Sequence, residues 1–154
     1  MDFDHSTKAR ERMDSMIPET RLLLSGRVRA WIERDGGDHA LQLITVDDRL
    51  RPHVMLLSRD EIEVLSDSAL RVRVRERSAT AENVRRRSSA TIALYDVGLA
   101  CTIKTRWNGS SESAGSGVST FELTVEEMRL DAPLDSEGPA RLVSGLRFER
   151  RGTV

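Results

Sequence analysis

Cysteine is almost missing from this chain: Cys101 stands alone, which excludes an internal disulfide and any cysteine-based metal cluster. Histidine is scarce, and His5, His39 and His53 show no metal-ligand spacing. No run of apolar residues approaches the length of a membrane span, so a membrane partner is not expected. Charge of one sign is missing too. With 24 Lys and Arg against 25 Asp and Glu the net charge is −1, which argues against a general nucleic-acid binder. The first 14 residues, MDFDHSTKARERMD, are charged where a signal peptide needs an apolar region, so a cytoplasmic protein is expected. Neither a Ser/His/Asp set at motif spacing nor a phosphate-binding glycine loop is found, which leaves hydrolase and nucleoside-triphosphatase chemistry with little support.

What is present is ordinary for a soluble protein: 38% hydrophobic and 32% charged over 154 residues, enough for one domain with a real core. Residues 1–17 read as a polar leader and 18–154 as a single domain. The centre of the chain is the stretch LRVRVRERSATAENVRRRSSATIALYD, residues 70–96, with seven arginines between Arg71 and Arg87. Leu70, Val72 and Val74 alternate with Arg71, Arg73, Arg75 and Arg77, the period of a half-buried strand. Ser78-Ala79-Thr80 offers N-caps for a short helix over AENVRRR, and Thr91 to Tyr95 form a second strand. A helix N-terminus beside hydroxyls and cations is a physically reasonable anion site.

Elsewhere, Pro18 followed by ETRLLLSG predicts a short helix ending near Gly26, while residues 27–33 fit a strand or a helical continuation equally. Residues 39–46 and 51–58 predict a hairpin, with Pro52 near a strand start where its missing N–H is tolerated. Residues 59–68 read as a polar connection with a brief helical or extended piece. Residues 98–107 and 118–130 form a further strand pair around the Gly/Ser-rich, flexible-looking segment 108–117. DAPLDSEGP, residues 131–139, reads as a loop with room for a helical turn, and 141–150 as a final strand. Six or more short strands with few helices point to a mainly β chain, an antiparallel barrel or sandwich.

The ordered series RPHVMLLS, then the 70–96 stretch, then GLACTIKTR resembles the pyridoxamine 5′-phosphate oxidase-like proteins, the FMN-binding split β-barrels. Arg51-Pro52-His53-Val54, Ser78, Thr80, Asn83-Val84-Arg85-Arg86, Ala93-Leu94 and Gly98-Leu99 through Lys104 stand where that family carries its motifs. The resemblance runs from about Leu22 to Phe148. It implies a six-stranded antiparallel Greek-key split barrel with minor α, and a homodimer with FMN in a groove between subunits. Oxidoreductase activity on a small molecule follows, with His53, Val54, Met55, Arg75, Arg77, Ser78, Thr80, Asn83 and Lys104 as the residues that would hold the cofactor.

One departure matters. The oxidases proper carry Ser-Arg-Lys at the phosphate turn, whereas this chain has Ser78-Ala79-Thr80, so both cations are missing and Arg75 or Arg77 would have to replace them. The C-terminal substrate segment of those oxidases is also unrecognisable, so vitamin B6 oxidation is not expected. The alternative is a non-catalytic dimeric binding module for another anionic ligand, a deazaflavin or haem, or for none. Blander roles stand beside each sharp one: solvated strand arginines, Ser78 and Thr80 as simple caps, Lys104 snorkelling to water, Cys101 in the core, and Trp31 and Trp107 as packing residues.

Overall fold

The computed structural model describes residues 19–21 (backbone only), 23–34, 38–113, 115–131 and 142–149. The leader 1–17 and the expected loop 131–139, apart from Asp131 at the end of a strand, lie outside the described residues. Eight strands and two helices follow in the order β1 (Glu19–Arg21), α1 (Gly26–Glu33), β2 (Ala40–Val46), β3 (Pro52–Ser58), β4 (Ile62–Ser66), β5 (Ala69–Arg75), α2 (Ala79–Arg87), β6 (Ser89–Asp96), β7 (Leu99–Ser113) and β8 (Val118–Asp131). All pairing is antiparallel, in the spatial order β3-β2-β6-β7-β8-β5-β4, with β1 added to β8. The mainly β architecture with minor α is therefore as expected, but seven strands rather than six form the continuous path.

The connection from β3 to β4 forces this sheet to curl. These strands occupy opposite ends of the order, yet only the 3₁₀ turn Arg59–Glu61 separates them. Six strand spacings in a flat sheet would put the ends about 29 Å apart, whereas four steps of chain reach at most about 14 Å. The two edges must meet around a closed core. Alternation fills that core: Leu41 and Leu43 on β2, Leu70, Val72 and Val74 on β5, Ile92 and Leu94 on β6, Cys101 and Ile103 on β7, and Phe121 and Leu123 on β8 are all buried. Burial pushes the Cys101 thiol up to about 12, with the Asp131 charge adding to the effect, so it serves as a small core residue and not a nucleophile.

Several local expectations change. The helix predicted over residues 18–26 is absent from the described part of that stretch, where Glu19–Arg21 form β1 instead. The reason lies on β8: β5 covers its residues 118–124 and leaves Met128 to Leu130 with a free edge, which β1 pairs. The helix begins later. Ser25 accepts the Val28 N–H, and Val28, Trp31 and Ile32 recur at helical spacing on one buried face, which resolves the ambiguity over 27–33. Residues 59–68 hold a true strand, β4, paired to β5.

The Gly/Ser-rich segment 108–117 is mostly strand, because pairing with β8 satisfies its backbone out to Ser113 whatever its composition. A register shift between Trp107 and Ser111 accommodates Gly109 at φ 91°, a conformation that favours glycine. The final strand predicted over 141–150 does not form in residues 142–149, where a single bridge joins Arg147 to His39. No helix among the described residues is long and apolar enough to cross a membrane.

Candidate functional site

Helix α2 packs on β2, β3 and β5 and so gathers one end of the barrel. Ser78 caps it twice over: its Oγ accepts the Ala81 N–H at 3.1 Å and donates to the Arg75 carbonyl at 2.7 Å. The helix ends at Ser88, left-handed at φ 54°, whose N–H reaches the Val84 carbonyl. Arg85, Arg86 and Arg87 occupy the last turn, where the helix dipole favours cations. Each has a second task. Arg85 donates to Ser119 and lies 5.4 Å from the Phe121 ring centroid, Arg86 is 3.9 Å from Asp48, and Arg87 donates to the Asp47 and Asp48 carbonyls. The helix arginines are fasteners between α2 and the barrel.

The strand arginines divide differently. Arg71 pairs with Glu63 and Glu122, and Arg73 donates to the Asp60 carbonyl. Arg75 is exposed at the end of β5, and Arg77 lies beyond it in the turn, not on the strand face as expected. Neither side chain has a partner among the described residues. Both precede the N–H groups of Ala79 and Thr80 in the chain, first-turn donors that no intrahelical carbonyl can satisfy.

Thr80 and Asn83 point inward. Asn83 is buried and donates to Thr45 Oγ1 at 3.0 Å, and Thr45 pairs with His53 across β2 and β3. Thr80 is fully buried, and its Oγ1 has no hydrogen-bond partner in the described structure. Met55 follows His53 on the same inner face of β3 and packs on the core. Val54 and Lys104 lie on the opposite, outer face, where Val54 is 51% exposed and Lys104 pairs with Glu127 at 3.3 Å. The nine predicted residues therefore form two groups: seven lie on α2, on the chain leading into it, or on the inner face of β3, and two sit on the outer wall of the barrel. Thr45 and Ser119, which tie α2 in place, carry no sequence signal that would have marked them.

Two guanidiniums without partners among the described residues thus precede a capped helix N-terminus, and the helix turns a polar pair, Thr80 and Asn83, inward. No protein-family model matches the sequence, and no curated protein matches it either. Solved structures do match. A proposed pyridoxamine 5′-phosphate oxidase of Lactobacillus delbrueckii aligns with a TM-score of 0.57 at 18% identity, over 73% of this chain and 98% of that one. An FMN-binding protein of Syntrophomonas wolfei aligns at 0.58 and 12%, over 83% and 95%. A proposed flavin reductase with a split-barrel domain, from Shewanella frigidimarina, aligns at 0.54 and 11%, over 85% and 93%.

The fold is the split β-barrel. The expected resemblance to pyridoxamine 5′-phosphate oxidase-like proteins is borne out at that level. Within this split barrel, capping by Ser78 is open to direct test. Ser78→Ala should cost about 1 kcal/mol of stability, measured by thermal unfolding without any added ligand. An unchanged unfolding temperature would show that the hydroxyl does not cap α2.

Proposed function

We propose that this split barrel is a cytoplasmic flavoprotein that holds FMN and serves a redox reaction on a small molecule. The observation that carries the reading is the pair of exposed guanidiniums, Arg75 and Arg77, without partners among the described residues and leading directly into the N-terminus of α2. A phosphate monoester needs cations and N–H donors together, and both are supplied here although Ala79 and Thr80 stand where the oxidases proper carry cations. Thr80 Oγ1, buried without a partner, is a further donor that a small local rearrangement would turn toward the phosphate.

In this reading Arg75, Arg77 and the Ala79 and Thr80 N–H groups hold the phosphate. Asn83 and His53 shape the recess behind it, and the backbone of β3 from Val54 onward lies along the flavin ring. FMN, when bound, supplies the two-electron chemistry, and the protein supplies placement and electrostatics. The outer face of β3, an edge strand with Val54 and Leu56 both about half exposed, fits the expected homodimer, in which a second copy covers the apolar edge.

A flavin spectrum near ~450 nm in the purified protein, or a rise in unfolding temperature on adding FMN, is the expected result. A colourless protein with no thermal shift defeats the proposal. Arg75→Ala and Arg77→Ala should each weaken FMN binding by roughly tenfold. Stability without ligand should stay unchanged, since neither side chain holds another group. Equal FMN affinity in both variants would remove these arginines from the site.

A further inference from the structure

A cleft of about 450 Å³ lies at the other end of the barrel, between α1, the β6–β7 turn and the C-terminal segment. Its floor is a closed polar network. Trp31 Nε1 donates to Asp96 Oδ2 at 2.7 Å, and the Val97 N–H donates to Asp96 Oδ1 at 2.8 Å. His39 Nε2 lies 3.4 Å from Asp96 Oδ2, and His39 Nδ1 lies 3.2 Å from Arg59 Nη2. A guanidinium can only donate, so Nδ1 is the acceptor and the ring proton sits on Nε2, facing Asp96. Arg59 also donates to the Trp31 carbonyl and stands 5.2 Å from the Trp31 ring centroid.

Every polar atom of the Asp96 carboxylate and the His39 ring is thus engaged. The floor offers no free base and no free carboxylate for a cation. The rim has the opposite character. Arg27, Arg34 and Arg147 line the cleft, against Asp96 as its one carboxylate among the described residues. Arg27 uses one nitrogen on the Gly98 carbonyl, Arg147 lies 3.7 Å from Asp38 and close enough to Asp96 for its charge to act there, and Arg34 has no side-chain partner among the described residues. Ala30, Val97 and Leu99 supply an apolar wall beside them.

Three guanidiniums around a cleft whose one carboxylate among the described residues has both oxygens taken up by donors leave an excess of positive charge and a site for an anion, and the wall gives that anion's body somewhere to lie. We propose that this cleft binds a small amphipathic oxyanion, a phosphate or carboxylate head on a compact apolar body. The site is separate from that of the flavin. It shares no residue with the site proposed for the flavin. Strand β6 starts just beyond the C-terminal end of α2 at Ser89 and reaches the cleft at Asp96, about 23 Å on at ordinary strand rise.

Phenyl phosphate is a suitable probe, titrated by calorimetry and by NMR of the full chain. The Trp31 indole N–H reports on the cleft, and the Trp107 indole, bonded to the Ser110 carbonyl, serves as an internal control. Binding should shift the Trp31 signal and leave Trp107 in place, and inorganic phosphate should bind at least several-fold more weakly. Arg34→Ala and Arg147→Ala, both at exposed positions, should each weaken phenyl phosphate by roughly tenfold. Arg49→Ala, on a turn away from the cleft, should leave it unchanged. Saturating FMN should not compete. No binding, equal affinity across the variants, equal binding of inorganic phosphate, or displacement by FMN would each overturn the assignment. The outcome does not depend on whether the α2 end takes a flavin.

Discussion

Phe121→Ala is expected to lower the unfolding free energy by about 3–5 kcal/mol, the range for emptying a buried aromatic site. Phe121 is fully buried on β8, paired with Val72 of β5 on one side and Ser111 of β7 on the other. Its ring meets Trp107 edge to face at 5.6 Å, and the Arg85 guanidinium stands over it at 5.4 Å. Alanine would therefore open a cavity where β5, β7, β8 and α2 converge, among neighbours held by sheet pairing and unable to collapse inward. Against a typical total of about 5–15 kcal/mol, that is a large share. Denaturant unfolding should show a lower midpoint, and an unchanged midpoint would mean that the core closes over the gap. Arg85 loses its aromatic contact in the same variant, so α2 should loosen and any affinity for FMN should fall with it.

This residue also shows how far the sequence could be read. The alternation of Phe121, Leu123 and Val125 marks an inward strand face, and the same logic identifies β5, because a two-residue period survives where one face is buried. Strands β2, β3, β6 and β7 are legible as short apolar runs bounded by turn residues. β1 could not be found that way. Three residues carry no period, and what makes them a strand is the edge that β5 leaves open on β8, far away in sequence. The arm of β7 beyond Trp107 failed for the opposite reason: Gly and Ser signal a loop, but pairing with β8 overrides them.

At the α2 end, the cap and the helix were legible because each depends on neighbours within a few positions. The partners that occupy five of the seven arginines were not, since Glu63, Glu122, Asp60, Ser119 and the Asp47–Asp48 turn come from other elements. The cluster of Trp31, His39, Arg59 and Asp96 left no trace at all in the sequence, being assembled from four separate elements.

That cluster carries the second large effect. Asp96→Ala should cost about 2–4 kcal/mol, because it removes the acceptor of the Trp31 indole and Val97 N–H bonds and leaves His39 Nε2 without its partner. The Asp96 side chain is only 14% exposed, so water cannot fully replace it. Its pH dependence separates charge from shape. Burial is the strongest single influence on Asp96 and opposes its ionisation. The Trp31 indole and the Val97 N–H, with the adjoining His39 ring and the Arg147 charge, together outweigh burial and hold the carboxyl below its usual value. A carboxyl depressed in the folded state contributes stability that is complete above the unfolded value, near 3.9. That stability drains away as pH falls below this toward the lower folded value. Asp96→Asn keeps one acceptor oxygen but cannot titrate. Its loss relative to the parent should therefore be largest near neutral pH and shrink on acidification, as followed by denaturant midpoints between pH 7 and 3. A constant difference across that range would mean that the Asp96 carboxylate contributes through hydrogen-bond geometry alone, with no ionic share in closing α1 onto the barrel.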